Sequence, residues 1–292
     1  MHSLPILRQL PNGYFVEEAP RGILAIDADV SRAFHQAGFG PETLGEFKTS
    51  ALSGRKPLFE MECGGESFVM RRFHHGGLLR WITRERFLHP ERPFAELIAS
   101  DALRKSGVPT PRVVAARARI LGGIGWGLDV ITRRVTDAED LGAVLDAIRR
   151  GEVPLADRFA LARALGTLVR RLHRVGLLHA DLQVKNVLVE WTDGENGREP
   201  VLWVLDLDGS FFVANPTKAE RRRNLRRLYR SARRRETSES FLSRSDFARF
   251  LLGYRPEGGS WKEDWRAIQA SHARNSLGHV VGWWLERQFS RA

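Results

Sequence analysis

The sequence predicts an α+β protein with two lobes, a small strand-rich lobe followed by a larger helical lobe. Two observations support this class. Segments 58–62, 66–73, 112–120 and 126–131 are predicted strands, whereas apolar residues after position 132 recur with the helical period of 3.6. Two lobes of this kind leave a cleft between them, and ligands favour such clefts.

The first lobe is predicted to contain one helix among its strands. Segments 58–62 and 66–73 form a hairpin that turns at Gly64 and Gly65. The helix extends from Pro93 to Ser106, because its apolar residues form one stripe and Gly107 follows as the C-terminal cap. We assign this lobe to residues 51–132, and residues 1–50 to an N-terminal extension of it that matches no known pattern.

The second lobe is predicted to span 133–292 and to be mainly helical. Two short β segments, 187–190 and 201–205, interrupt the helices, and a loop from Trp191 to Pro200 joins them. The predicted helices are 140–150, 155–175, 218–235, 245–252, 262–273 and 277–289.

The composition is that of a globular protein with a basic surplus. Among 292 residues, 46 Lys and Arg against 35 Asp and Glu give a formal net charge of +11, which favours polyanionic partners. The single cysteine, Cys63, excludes an intrachain disulfide and any CxxC motif. Since the sequence shows neither a signal peptide nor an apolar run of about 18 residues, we expect a cytoplasmic protein, soluble or peripheral on a membrane.

The most informative segments are HADLQVKN at 179–186 and VLDLD at 204–208. They resemble the catalytic loop, H-x-D-x-x-x-x-N, and the metal-binding D-F-G motif of kinases. Phosphoryl transfer needs a carboxylate beside the acceptor hydroxyl, and an amide and a second carboxylate on Mg²⁺. The spacing therefore predicts Asp181 as the catalytic carboxylate and Asn186 and Asp206 as metal ligands.

Upstream residues are candidates for nucleotide binding. Strand alternation places Val69 and Arg71 on one face of segment 66–73, at the place of the kinase V-A-I-K strand. Arg71 is expected to bind nucleotide phosphates with Glu96 as its partner, although both could be solvated surface charges. Gly54 marks only a weak phosphate loop, since no G-x-G-x-x-G occurs.

The chain more specifically resembles the lipopolysaccharide-core kinases, above all the 3-deoxy-D-manno-octulosonic acid (Kdo) kinases within the protein-kinase-like fold. Four segments carry the resemblance, in the family's order: RRFHHGG at 71–77, GVPTP at 107–111, HADLQVKN at 179–186 and NLRRLYRS at 224–231. The matches span roughly residues 54 to 254.

This resemblance implies a bilobal kinase that uses ATP and Mg²⁺ to phosphorylate a hydroxyl of Kdo or another inner-core sugar. A small Bud32-like protein Ser/Thr kinase and a catalytically silent pseudokinase remain alternatives. Two positions depart from expectation: Leu207 replaces the Phe of the family's D-F-D, and Gln183 stands where many kinases have Lys. Lys185 could supply that missing cation to the transferred phosphate, or could lie on the surface.

The segment from Lys218 to Arg235 contains ten basic residues. It could be a solvated helix face, or it could dock an acidic acceptor or an anionic membrane surface. Nucleic acid is a less favoured partner, because the segment has no recognisable motif and Tyr229 is its one aromatic residue. The expected acceptor is a lipid-linked or free acidic sugar, and the sequence leaves the oligomeric state open.

Overall fold

A computed structural model describes residues 4–50, 58–74, 85–122, 125–194, 197–235 and 241–255, together with positions 263 and 266. The chain forms two compact units. The first comprises Met1–Thr136 and Leu205–Ser210, and the second comprises Asp137–Val204 and Phe211–Ala292. The predicted lobe boundary at 132 and 133 stays a prediction. In the described part of the chain, every helix is too short or too polar to cross a lipid bilayer.

The first unit is built on one antiparallel sheet with the strand order β1-β2-β6-β7-β5-β4-β3. Its strands, within the described residues, are β1 (Tyr14–Ala19), β2 (Gly22–Asp27), β3 (Lys48–Thr49), β4 (Phe59–Cys63), β5 (Glu66–Arg72), β6 (Val113–Ile120) and β7 (Trp126–Arg133). A 3-10 helix (Pro5–Gln9) and the helices α1 (Ala28–Gln36) and α2 (Arg92–Lys105) complete this unit.

Strand β2 explains why this sheet has apolar contacts on both faces. Each of its residues is buried, and alternate side chains point to opposite faces of the sheet. Leu24 belongs to the apolar cluster that contains Phe34 of α1. Ile23 belongs to a second cluster that contains Leu97 of α2. The sheet therefore lies between two cores, and the second core fixes α2 against it.

A buried ion pair connects the strands next to the candidate site. Arg117 of β6 is fully buried, and its Nη2 lies 2.6 Å from Oδ2 of Asp129 on β7. Its Nη1 donates to the carbonyl oxygens of Gly40, at 2.9 Å, and Thr43. Arg72 of β5 donates to the other carboxylate oxygen of Asp129 at 3.1 Å. Asp129 thus connects β7 to both β5 and β6. Separating these strands would leave a buried charge unpaired, so the network holds them together.

The second unit combines helices with two small sheets. Its elements in the described residues are β8 (Ala138–Asp140), α3 (Leu141–Arg149), α4 (Leu155–Arg174), β9 (Leu177–Leu178), a 3-10 turn (Val184–Asn186), β10 (Val187–Gly194), β11 (Gly197–Val204), β12 (Phe211–Phe212), α5 (Lys218–Arg233) and α6 (Arg244–Tyr254). The strands pair in the orders β11-β10-β8 and β12-β9. A capping box of Thr217 and Glu220 begins α5.

Helices α4 and α6 pack closely because glycines lie at their contact. A Cβ atom on Gly166 would lie 2.0 Å from the carbonyl oxygen of Phe250, and one on Gly253 would lie 2.1 Å from that of Arg163. Neither side chain could be accommodated without separating the helices. This close approach places Tyr254, the last residue of α6, against His173 of α4.

Most predicted elements are confirmed to within a few residues. The hairpin at 58–73, the strands 112–120 and 126–131, and the helix 93–106 are present, and Gly107 has the positive φ of a helix cap, +72°. The helices at 140–150, 155–175, 218–235 and 245–252 are present as α3 to α6.

In two parts of the chain the structure adds detail that the prediction lacked. The loop predicted from Trp191 to Pro200 is present at the same place but is shorter, because β10 and β11 continue as a ladder in which Trp191 pairs with Pro200 and Gly194 pairs with Gly197. The unassigned first fifty residues contain β1, β2, α1 and β3, which join the main sheet and its core. Of the predicted helix 262–273 the structure describes positions 263 and 266, both helical, and the predicted helix 277–289 lies outside the described residues.

Candidate active site

The first unit holds Arg71 between two carboxylates. Arg71 of β5 donates from Nη2 to Glu96 Oε2 on α2, and the same nitrogen lies 3.3 Å from Asp206 Oδ1. Its guanidinium also lies 4.5 Å from the centroid of the Phe73 ring. Burial lowers the pKa of Arg71, but Glu96 and Asp206 outweigh it, so the net pKa lies above the ordinary arginine value. Arg71 is therefore a permanently charged group in a fixed position.

The segment around Asp206 has an unusual backbone. Asp206 has φ of +58°, a left-handed conformation that costs a non-glycine residue free energy and that clusters at functional sites. Two residues later, Asp208 accepts hydrogen bonds from Nε, at 3.0 Å, and from Nη2 of Arg92 at the start of α2. The fold thus fixes this segment against α2 through a bidentate ion pair.

Val69 and Gly54 are the other two residues predicted to bind the nucleotide, and the structure describes only the first of them. Val69 lies on the same strand as Arg71 and, like it, is half-buried, whereas Phe68 and Met70 point into a buried core. The predicted shared face of Val69 and Arg71 is therefore confirmed. Gly54 lies outside the described residues.

In the second unit, the segment between β9 and β10 folds back on Asp181. The 3-10 turn Val184–Asn186 brings Asn186 Nδ2 to 2.7 Å from the backbone oxygen of Asp181 and 3.4 Å from its Oδ2. Lys185 Nζ lies 3.0 Å from the same Oδ2. The predicted loop residues Asp181, Lys185 and Asn186 are thus together, with Asn186 buried and Asp181 half-exposed.

Hydrogen bonds and charge keep Asp181 ionised. Partial burial raises its pKa, but a hydrogen bond from Gln183 Nε2 and the nearby cations Lys185 and Arg227 outweigh this effect. The net pKa of Asp181 lies below the ordinary value. Asp181 is therefore a carboxylate at neutral pH, able to accept a hydrogen bond from a hydroxyl group.

Helix α5 holds this loop through its neutral side chains. Asn224 accepts from the backbone N–H of His179 at 3.1 Å and donates to its carbonyl at 2.9 Å. Ser231 accepts from the backbone N–H of Val184 at 3.1 Å. Since seven residues make nearly two helical turns, Asn224 and Ser231 lie on one face of α5 and hold both ends of the loop.

Buried histidines extend this network. Asp181 N–H donates to His179 Nδ1 at 3.0 Å, so His179 supports the loop by hydrogen bonding. His173 of α4 contacts Asn224 Oδ1 at 3.3 Å and the Tyr254 hydroxyl at 2.9 Å. Burial lowers the pKa of His173 to about 4, so its imidazole is neutral at pH 7.

The predicted site residues form two groups. Arg71, Glu96 and Asp206 lie together in the first unit, and Asp181, Lys185 and Asn186 lie together in the second. Their individual roles stay predictions. The sequence interpretation gave no supporting role to Arg92, Asn224 and Ser231. It named Gln183 as a departure and placed Arg227 in a basic segment for the acceptor, but it predicted neither residue's contact with Asp181. The segment NLRRLYRS contained the signal for α5, because its Asn and Ser are seven residues apart.

A loop carboxylate with an amide five residues later, and a strand arginine paired with a helix glutamate, define the class of protein-kinase-like phosphotransferases. The solved structure of WaaP in complex with acyl carrier protein has this fold and aligns with 80% of this chain and 88% of its own, with a TM-score of 0.57 and 21% identity. The chain belongs to the lipopolysaccharide kinase (Kdo/WaaP) family, whose sequence model matches residues 48–254.

Curated relatives support this family assignment. The chain is 32% identical over 177 residues to a protein of Actinobacillus succinogenes named 3-deoxy-D-manno-octulosonic acid kinase. That match covers 57% of this chain and 66% of the relative, slightly under two thirds. A protein of the same name from Xanthomonas euvesicatoria is 28% identical over 215 residues, which cover 72% of this chain and 80% of the relative. The chain is thus a phosphotransferase of a family of kinases.

Proposed function

We propose that this protein transfers the γ-phosphoryl group of ATP to a hydroxyl of Kdo in the inner core of lipopolysaccharide. One observation carries the proposal: Asp181 is ionised, half-exposed and fixed beside Lys185, as a carboxylate that accepts a substrate hydroxyl must be. The family match and the names of the relatives support a Kdo acceptor over a protein acceptor.

The first unit supplies the nucleotide side of the reaction. The planar guanidinium of Arg71 suits phosphate oxygens, and Glu96 positions it. Val69, half-buried on the same face of β5, offers an apolar contact to the base or sugar of ATP. Gly54 belongs to a segment that we assign to the phosphates by sequence alone.

Asn186 and Asp206 have the donor chemistry that Mg²⁺ prefers, a carboxamide oxygen and a carboxylate. The hydrogen bond from Asn186 Nδ2 to the Asp181 carbonyl orients the amide so that Oδ1 is the atom for a cation. The described residues contain no group of three or more His, Cys, Asp or Glu for a metal, so the assignment of Asn186 and Asp206 depends on the kinase motifs that contain them. Bound Mg²⁺ would neutralise phosphate charge.

Asp181 and Lys185 serve the acceptor and the transferred group. Asp181 orients the acceptor hydroxyl and accepts its proton, and Lys185 offers a cation to the phosphoryl oxygens. Lys185 supplies the cation that many kinases have at position 183. Gln183 occupies that position here, and its Nε2 donates a hydrogen bond to Asp181. This division requires only residues of one loop.

We place the acceptor at a membrane surface. Helix α5 bears the exposed cations Lys218, Arg223 and Arg230, and the exposed Arg234 follows it directly. A basic residue near an anionic bilayer contributes about 1 kcal/mol of binding, so such a helix favours peripheral attachment on the cytoplasmic face of the inner membrane. A lipid-linked acidic sugar would be presented there.

Labelled ATP tests the function directly. The purified protein is incubated with Mg²⁺ and either Kdo-lipid A or a mixture of proteins, and Asp206→Asn is measured in parallel. We expect label on Kdo-lipid A alone, together with a weaker Mg²⁺ dependence of ATP binding in the variant. Label on proteins would favour the Ser/Thr kinase alternative, and absence of transfer from bound ATP would favour the pseudokinase.

A further inference from the structure

Asp181 has a second cation beside it, from outside its own loop. Arg227 of α5 lies with Nη1 3.5 Å from Asp181 Oδ1, while Lys185 lies 3.0 Å from the other carboxylate oxygen. The two cations therefore flank opposite oxygens of the same carboxylate. A hydroxyl group that binds either oxygen of Asp181 therefore has one of these cations beside it.

The contact with Asp181 uses little of the Arg227 guanidinium. An arginine side chain has five N–H donors, and a separation of 3.5 Å is long for a charge-assisted hydrogen bond. Among the residues that the structure describes, Asp181 is the one carboxylate paired with Arg227. The side chain is 39% exposed and is therefore accessible to a ligand.

Asp181 does not need Arg227 to hold its position. Its side chain accepts from Gln183 and contacts Lys185, and its backbone oxygen accepts from Asn186. These three residues are all in the same loop. The loop therefore keeps its fold without Arg227, and the guanidinium of Arg227 is placed where it can bind a ligand.

We propose that Arg227 binds the carboxylate of the acceptor sugar and selects sugar acids over neutral sugars. This inference rests on the proposed function. The hydroxyl and the carboxylate of one monosaccharide are a few bonds apart, so a sugar that presents its hydroxyl to Asp181 brings its carboxylate within reach of the adjacent guanidinium. The planar fork of arginine matches a carboxylate in bidentate fashion.

A neutral substrate analogue tests this assignment. Phosphoryl transfer to Kdo-lipid A is compared with transfer to the same lipid whose Kdo carboxylate is converted to the carboxamide. In the wild-type protein, the carboxamide should raise the acceptor KM about ten- to a hundredfold, the range of a hydrogen bond to a charged group. In Arg227→Met, the two acceptors should have the same KM, and Arg227→Lys should keep part of the difference.

Arg150→Met is the matched control, since Arg150 also pairs with a carboxylate, that of Glu152, but lies at the end of α3. It should keep the wild-type preference. If Arg227→Met lowers kcat for both acceptors and keeps the preference, Arg227 only positions Asp181 and the inference is wrong while the proposed function stands. Absence of transfer by the wild-type protein to either lipid would instead refute the proposed function, and the inference with it. Circular dichroism confirms that each variant is folded.

Discussion

The two groups of candidate site residues differ in the sign of their charge and in how they are held. In the first unit, three carboxylates, Glu96, Asp206 and Asp208, pair with two arginines, Arg71 and Arg92. In the second unit, one carboxylate is paired with two cations. Ion pairs fix the first group, whereas neutral amide, hydroxyl and imidazole groups fix the loop of the second.

This difference corresponds to the two substrates of the proposed reaction. A surplus of carboxylates suits the side that binds a divalent cation with the nucleotide, and a surplus of cations suits an acidic acceptor. The interactions that hold the two groups also respond differently to pH. An ion pair persists over a wide pH range, whereas a buried neutral histidine loses its stabilising effect in acid. Variants of Asp181, His173, Arg71 and Ser231 test the acceptor side, the neutral support, the nucleotide side and the order of the loop.

The largest effect is expected for Asp181→Asn. The substitution keeps the shape of the side chain but removes the proton acceptor, so kcat should fall by about a hundredfold or more. The exposed Asp193 on β10 provides a control, because Asp193→Asn should leave kcat unchanged. Steady-state phosphoryl transfer is the measurement, and a folded Asp181→Asn protein with normal turnover would contradict the assignment.

His173 tests the neutral support of the second unit. Its pKa is about 4 in the folded protein because of burial, below its ordinary value of 6.5. A lowered pKa means that the stabilisation is complete above pH 6.5 and is lost as the pH falls to about 4. As the pH falls from 7 to 5, protonation of His173 in the unfolded chain should lower the free energy of unfolding by about 2 kcal/mol.

Urea unfolding at the two pH values measures this loss. His173→Gln should reduce the pH dependence by that amount. An equal pH dependence in His173→Gln and the wild type would show that another group is responsible.

The nucleotide side is tested with Arg71→Lys. Lysine keeps the charge but not the planar fork of N–H donors that suits phosphate oxygens, so the KM for ATP should rise severalfold, with little change in the KM for the acceptor. Initial rates at varied ATP and varied acceptor give both constants. Should the acceptor KM change instead, Arg71 would belong to the other substrate.

The smallest effect is expected for Ser231→Ala. It removes the acceptor of the Val184 N–H, a bond of about 1 kcal/mol, so kcat should fall by about fivefold through a less ordered loop. The exposed Ser245 of α6 is the control, as Ser245→Ala removes a hydroxyl without a contact to the loop. The same kcat in the two serine variants would mean that Ser231 does not order the loop.

Local patterns predicted what lies within one element or one short loop. The contacts among Asp181, Lys185 and Asn186 follow from a spacing of five residues, and the pairing of Arg71 with Glu96 follows from a kinase pattern on a strand and the next helix. The same patterns could not predict that Asn224 binds His179 across 45 residues, because that contact depends on how α5 packs.

Basic composition also concealed a structural role. The ten cations from Lys218 to Arg235 indicated a docking surface, whereas the neutral residues Asn224 and Ser231 between them hold the loop. The hairpin of β10 and β11 was predicted too short because Gly194, Gly197 and Pro200 are typical of loops, although strand pairing continues through all three.

The position of β2 has a practical consequence for anyone who expresses this protein. The family match begins at residue 48, which invites a shortened clone that starts there. Such a fragment would lack β1, β2 and α1, so it would expose the edge of β6 and one side of the core around Phe68. Insoluble material from that clone would reflect two missing strands rather than an inherently unstable enzyme.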